Sequence, residues 1–362
     1  MLQSEVARTV ADQVRVALTP ADQRRLGVTR TVNPEAYNLY LQSKALMDTE
    51  RNFVRHKEAL LRKALVLDPT LVEARVELAG CFLGGVLDPS YGGRSTVESL
   101  ALARAELEQV ARLAPDSAQA HAVLARVLRF ENDWPGFERE AELAYALDPG
   151  NPDCVNEVIV SRHYSGRYSE ACTLERHLWG LWRPDIPARA LTFCPITAYD
   201  AGHYDEMSAG FQAVKQYDRN EADSVLSSRW LAFGYAAQGR FDEAAAYMER
   251  ADRVQPYTPW KGWLAYIYGR QGRVDKARAV LAELLSMRRE KDAYVIPTAI
   301  ASAYEGLGER DEVFAWLDVA YSEHDPKLAL IINWPLWSGL RADPRYTALL
   351  DRMNVPQAWR RK

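Results

Sequence analysis

No run of about 18 apolar residues occurs in this chain, so it encodes no membrane-spanning helix. The longest candidate, around Leu328 to Leu336, is too short and contains Asn333 and Pro335. Glu5 and Asp12 stand where an export signal needs an apolar block. Four cysteines, Cys81, Cys154, Cys172 and Cys194, are scattered without close pairing. That pattern predicts buried, reduced thiols, and together with the missing signal it points to the cytoplasm. Neither sign of charge dominates: 45 basic and 49 acidic residues leave a formal net charge of −4. A basic face for nucleic acid is therefore not expected, and Arg360-Arg361-Lys362 reads as a solvated tail. Strand-rich, turn-spaced stretches are lacking while helix formers dominate, which predicts an all-α protein.

Catalytic signatures are lacking too. The sequence has no GxSxG, HExxH, GxxxxGK[ST] or dinucleotide-binding fingerprint. His203, Asp205 and Glu206 fall on a turn where acids serve a helix start, and His163, Cys172 and His177 do not have the spacing of a zinc site. His56, His121 and His324 are isolated. The expectation is a non-enzymatic chain with no cofactor and no metal.

What is present is repetition. Gly166, Gly202, Gly239, Gly272 and Gly308 recur 36, 37, 33 and 36 residues apart, followed by GRYSEACTL, GHYDEMSAG, GRFDEAAAY, GRVDKARAV and GERDEVFAW. A period near 34 marks stacked helix-turn-helix units. Each glycine falls where a first helix (A) ends and the chain turns, a place that favours left-handed dihedrals. The acids just after it are expected to cap the second helix (B) and favour its positive end. Asp68-Pro69 and Asp148-Pro149 break helix B and start the next turn.

The best unit, Leu226 to Pro256, places Leu231, Ala232, Tyr235, Gly239, Phe241, Ala244, Met248, Ala251 and Pro256 at the intervals of the tetratricopeptide repeat (TPR). Leu264, Ala265, Tyr268 and Gly272 repeat it, as do Ile300, Ala301, Tyr304 and Gly308. The expected fold is a right-handed α-solenoid of antiparallel helix pairs, with about eight repeats and capping helices. Residues 1–32 read as an amphipathic capping helix, from Val6, Val10, Val14 and Leu18, plus a linker. Residues 33–116 hold two degenerate units with an insertion loop near 86–95, and 117–326 hold six units. In the fourth unit Pro184 and Pro187 shape the closing turn, and in the fifth Phe193-Cys194-Pro195 interrupts the first helix and Asn220 replaces the closing proline. Residues 327–362, with Trp334, Leu336, Trp337 and Leu340 outside the repeat pattern, form a closing cap.

Two stretches carry a further likeness: Leu2–Leu26 with Val32–Leu46, and Gly306–Leu328 with Gly339–Met353, the latter containing Asp343-Pro344-Arg345-Tyr346. With them the chain resembles the C-terminal TPR region of bacterial TolB-like/TPR regulators. In those proteins an N-terminal nucleotide cyclase, Ser/Thr kinase or winged-helix module precedes the array. The resemblance implies a regulatory or sensory half whose output module is not in this sequence. In winged-helix members a membrane span precedes the array, which implies the periplasm as the alternative compartment.

Helix A residues at repeat positions 2, 5, 9 and 12 or 13 line the concave face of TPR folds. That register selects Arg126 and Arg129, Asn156 and His163, Arg189 and Tyr199, Arg229 and Phe233, Tyr266 and Arg270, and Ser302 and Glu305. Arginines and flat aromatics suit protein recognition. Position 9 holds Arg126, Val160, Ile196, Phe233, Tyr266 and Ser302, so the asparagine clamp for a C-terminal carboxylate is missing. The expected partner is a protein or peptide segment, acidic where it meets the arginines, with self-association through Trp334–Trp337 as a further option.

Overall fold

A computed structural model describes residues 32–46, 53–87, 94–182, 194–217, 221–254, 258–289, 295–332 and 334–360. Outside the described residues lie the expected helix at 3–18, residues 88–93 of the insertion loop, Pro184, Pro187, Arg189, Phe193, Asn220 and Pro256. All regular elements among the described residues are helices.

The chain divides into two compact units, Met1–Leu78 and Ala79–Lys362. In the first, α1 (Pro34–Ala45) and α2 (Phe53–Leu67) pair around Ala36, Leu61 and Ala64. Asn33 caps α1 with its side chain, and its own backbone N–H donates to Asp68 at 3.1 Å. A third helix, α3 (Val72–Leu87), begins in this unit.

The second unit continues with α4 (Thr96–Leu113) and then six pairs. These are α5 (Ala118–Phe130) with α6 (Trp134–Leu147), α7 (Pro152–Tyr164) with α8 (Tyr168–Trp182), and α9 (Pro195–Ala201) with α10 (Tyr204–Lys215). They continue with α11 (Glu221–Ala237) and α12 (Phe241–Val254), α13 (Thr258–Arg270) and α14 (Val274–Arg289), and α15 (Pro297–Leu307) and α16 (Arg310–Ser322). After them come 3-10 turns at Leu328–Ile332 and Pro335–Leu340, the helix α17 (Pro344–Arg352) and a last 3-10 turn at Gln357–Trp359.

The turn chemistry is that read from the sequence. Gly166, Gly202, Gly239, Gly272 and Gly308 all have φ between 73° and 87°. At each, the next residue's N–H reaches back five residues, as from Arg240 to the Tyr235 carbonyl at 2.8 Å, closing helix A. The α5–α6 turn has no glycine; Asn132 takes its place at φ 62°, with Asp133 N–H donating to Leu128 O at 2.9 Å. The acids after the glycines sit one step deeper than expected. Asp242 and Glu243, like Asp205 and Glu206, lie inside the first turn of helix B, where they favour its positive end without capping it. A side-chain cap on a helix B comes instead from Asp133, which accepts from Gly136 N–H at 3.0 Å.

Small residues set the spacing between pairs. A Cβ on Gly262 would come within 2.6 Å of the Ala299 Cα, and one on Gly306 within 2.4 Å of the Tyr266 Cα. Helices α13 and α15 therefore touch backbone to backbone.

One sequence expectation changes here. Cys172 and Cys194 are not separate reduced thiols: they form a disulfide between α8 and the start of α9, with Cα atoms 5.2 Å apart. Nothing in their spacing pairs them: Cys172 lies in a repeat segment within α8, and Cys194 stands just before the start of α9 at Pro195. Cys81 and Cys154 are buried and outside the disulfide, and burial pushes the Cys154 thiol up to about 12.

Candidate functional site

The C-terminal segment does more than close the last pair. It runs back across the helix A face. Trp334 is the pivot, with its ring 5.6 Å from Tyr199, 5.3 Å from Phe233 and 5.2 Å from Trp263. These partners come from α9, α11 and α13, and Trp230 of α11 adds a fourth ring at 6.1 Å. Farther along, Trp359 reaches Trp134 of α6 at 5.6 Å and stacks on Tyr164 of α7 at 6.4 Å. A single short segment touching helices from α6 to α13 requires that their facing surfaces curve around it. Trp334, Leu336, Trp337 and Leu340 are all buried in this way. An intermolecular contact through Trp334 and Trp337 would first have to withdraw both indoles from the face.

The residues selected by register fall into three groups. Phe233, 1% exposed, and Tyr199, 1% exposed, lie under Trp334. Arg126 and Arg129 converge on the fully buried Glu157 of α7, at 2.9 and 3.6 Å, and the Asn156 amide donates to the same carboxylate at 3.4 Å. Their charge is matched inside the chain, because a buried carboxylate requires a cation. His163 is likewise part of an internal network, 2.9 Å from Asp200 and 3.0 Å from the Thr197 hydroxyl. Thr197 in turn donates to the buried Glu175 through its hydroxyl and its N–H. Burial raises Glu175, while the neighbouring His163 charge and the two Thr197 bonds act the other way. Ser302 is buried and donates to Thr298 O at 2.7 Å.

The third group opens onto space. Tyr199, Tyr266, Arg270 and Glu305 line a cavity of about 430 Å³ whose far wall is Pro335, Leu336, Ser338, Gly339 and Arg341 of the C-terminal segment. Arg270 is exposed, 5.5 Å over Phe241 and 5.9 Å over Tyr266. Arg229 stands apart, 5.9 Å over Trp260 and close enough to lower Asp252, whose carboxyl burial raises. Sequence reasoning missed Arg341, which carries no repeat signal, and Trp263, which sits one turn before the selected Tyr266.

Other chemistry is sparse. Among the described residues no cluster of three or more His, Cys, Asp or Glu gathers as metal ligands, and no helix is long and apolar enough to cross a membrane. His203 lies 3.6 Å from Glu206 on an exposed turn.

Comparison with known proteins bears on the repeats. Residues 235–295 match the tetratricopeptide repeat family. No curated protein matches the chain. Many solved structures are similar, two of them as follows. One, from a functional characterisation of Pseudomonas aeruginosa pilF, is 19% identical with a TM-score of 0.41 and pairs 61% of this chain with 92% of that one. The other, YrrB, described as a TPR protein with an unusual peptide-binding site, is 18% identical with a TM-score of 0.33 and pairs 54% of this chain with 92% of that one. The matched residues run from the end of α11 to just before α15, the stretch in which Gly239 and Gly272 close successive helices A at left-handed dihedrals. Residues 235–295 are thus tetratricopeptide repeats, and the described residues around them are helices stacked in antiparallel pairs.

Proposed function

We propose that this chain is a non-catalytic protein-interaction scaffold whose helix A face takes up a segment of a partner protein. One observation carries the reading: the face already holds a tryptophan-bearing segment of its own chain, the 3-10 turns Leu328–Ile332 and Pro335–Leu340 with Trp334 between them. Trp334 sits among four aromatic rings there, the kind of central pocket that dominates binding energy at protein interfaces. A partner segment with an aromatic anchor would exchange with Trp334. Of the arginines expected to meet an acidic partner, Arg270 is the best placed, because Arg126 and Arg129 serve Glu157.

The test is capture from the lysate of the native source on three baits of matched circular dichroism: the parent, Trp334→Ala, and Trp334→Ala with Phe233→Ala. The expected result is a protein enriched on Trp334→Ala over the parent and lost on the double variant. The same set on all three baits would mean that the face is not the working surface.

The Cys172–Cys194 disulfide supports a periplasmic or otherwise oxidising compartment over the cytoplasm. Thiol labelling of the protein taken from its native cell, followed by peptide mass analysis, tests this: two blocked and two labelled cysteines support it, and four labelled cysteines refute it.

A further inference from the structure

We propose that the cavity between the helix A face and residues 335–341 is a binding site for a small carboxylate carried on a flat apolar body. Its volume, about 430 Å³, falls in the range of ligand sites. Its walls divide by chemistry. Phe241, Trp263 and Tyr266 supply ring faces and edges, and Arg270 and Arg341 supply cations.

Two residues of its lining also carry a buried donor without an acceptor, each closed off from the cavity space itself. The Tyr199 hydroxyl is buried without a hydrogen-bond partner, although the residue is only 1% exposed. The Arg341 Nε is buried in the same condition, although its guanidinium also hydrogen-bonds Tyr346. Burial and the adjacent Asp200 push the Tyr199 phenol well up, so it stays a neutral donor.

Charge selects the ligand further. Glu305 is the one acid on the lining, and Arg310 acts on it from outside. Two cations against one carboxylate leave room for a single negative charge, which fits a carboxylate better than a phosphate dianion. Because one wall is array and the other is the C-terminal segment, an occupant bridges the two. It would hold the segment on the face, which extends the scaffold reading without depending on it.

The test uses the full chain and three probes: phenylacetate, the uncharged phenylacetamide, and a tetrapeptide ending in a free phenylalanine carboxylate. Tryptophan fluorescence reports binding, since Trp263 lines the site, and thermal melting reports the bridge. Phenylacetate is expected to bind saturably with a Kd between about 10 μM and 1 mM. Phenylacetamide should bind about tenfold or more weaker, and the acid should raise the melting temperature. Arg270→Gln should weaken the acid about tenfold and leave the amide unchanged, because it removes a cation and keeps the rings. Arg270 is exposed, so this variant folds even if Arg341→Gln does not. Tighter binding of the tetrapeptide than of phenylacetate would assign the site to chain ends, and the reverse to free acids; both support the carboxylate. Equal affinity for acid and amide, or no saturable response to either acid probe up to about 5 mM, overturns the proposal.

Discussion

The indole N–H of Trp134 donates to the carbonyl of Met353 at 2.7 Å, joining residues 219 apart in the sequence. Both partners are fully buried. This bond ties the far end of the C-terminal segment to the first of the six pairs, so the array and its closing segment form one packed body rather than an open groove.

Trp134→Phe keeps most of the ring and removes the donor, leaving the Met353 carbonyl without it. The expected cost is about 1–3 kcal/mol. Trp134→Ala adds a cavity and should cost about 3–5 kcal/mol. Urea unfolding followed by circular dichroism measures both. Equal, negligible losses would show that the segment does not depend on this anchor.

The left-handed turns and the helix crossings predict different glycine effects. Gly239 at φ 76° has no neighbour within 4 Å of an added Cβ, so Gly239→Ala should cost only the dihedral penalty, about 1–2 kcal/mol. Asn132→Gly should be neutral or slightly stabilising at φ 62°. Gly306→Ala drives a Cβ into the Tyr266 backbone and should cost about 1–3 kcal/mol through displaced helices. Unfolding midpoints rank the three, and a shift in the fluorescence of Trp263 should accompany only the last.

Much of this was legible because it is local. Five glycines at one spacing announced five left-handed turns, since a turn depends on a few consecutive residues. Asn132 escaped because its turn has no glycine, although asparagine is the next best occupant of that dihedral. Helix register put Tyr199, Tyr266 and Arg270 on one face, and the cavity gathers them. The same register assigned Arg126 and Arg129 outward, because no periodicity reveals that the neighbouring helix brings a buried Glu157 beneath them. The atypical composition of 328–340 was visible, but its docking was not: the Trp334 contacts join segments about a hundred residues apart, and chain pattern holds no signal at that range. The Cys172–Cys194 bond was hidden for another reason: the two cysteines are only 22 residues apart, but their spacing matches no pairing pattern.

Lys327 supplies a pH dependence. It lines a crevice with Trp260, Trp334 and Trp337, lies 5.4 Å over the Trp260 ring, and is pushed down to about 8 by burial, with Arg129 adding to the effect and Asp325 opposing it. Its unfolded value is near 10.5, so between about 8 and 10.5 the unfolded chain holds a proton that the folded chain has released. Stability from this group is therefore complete above 10.5 and lost as pH falls through 8. Lys327→Met should be more stable than the parent at pH 7, with the difference shrinking at about pH 9.5. A difference independent of pH would refute the assignment.

The disulfide closes a loop between residues 22 apart. Cys194→Ser should cost about 2–4 kcal/mol under oxidising conditions and nothing relative to the parent in excess dithiothreitol. Thermal melts in both buffers distinguish this from a packing effect, which would persist in reductant.

The central claim is that residues 328–341 occupy a recognition face as an internal ligand. The direct measurement is fluorescence anisotropy of a labelled peptide of that sequence, titrated with the parent and with Trp334→Asp/Trp337→Asp. The account predicts micromolar binding, about −8 kcal/mol, to the double variant, whose own segment is displaced, and binding at least about tenfold weaker to the parent. Equal binding to both, or none to the double variant while its helix content is intact, would contradict it.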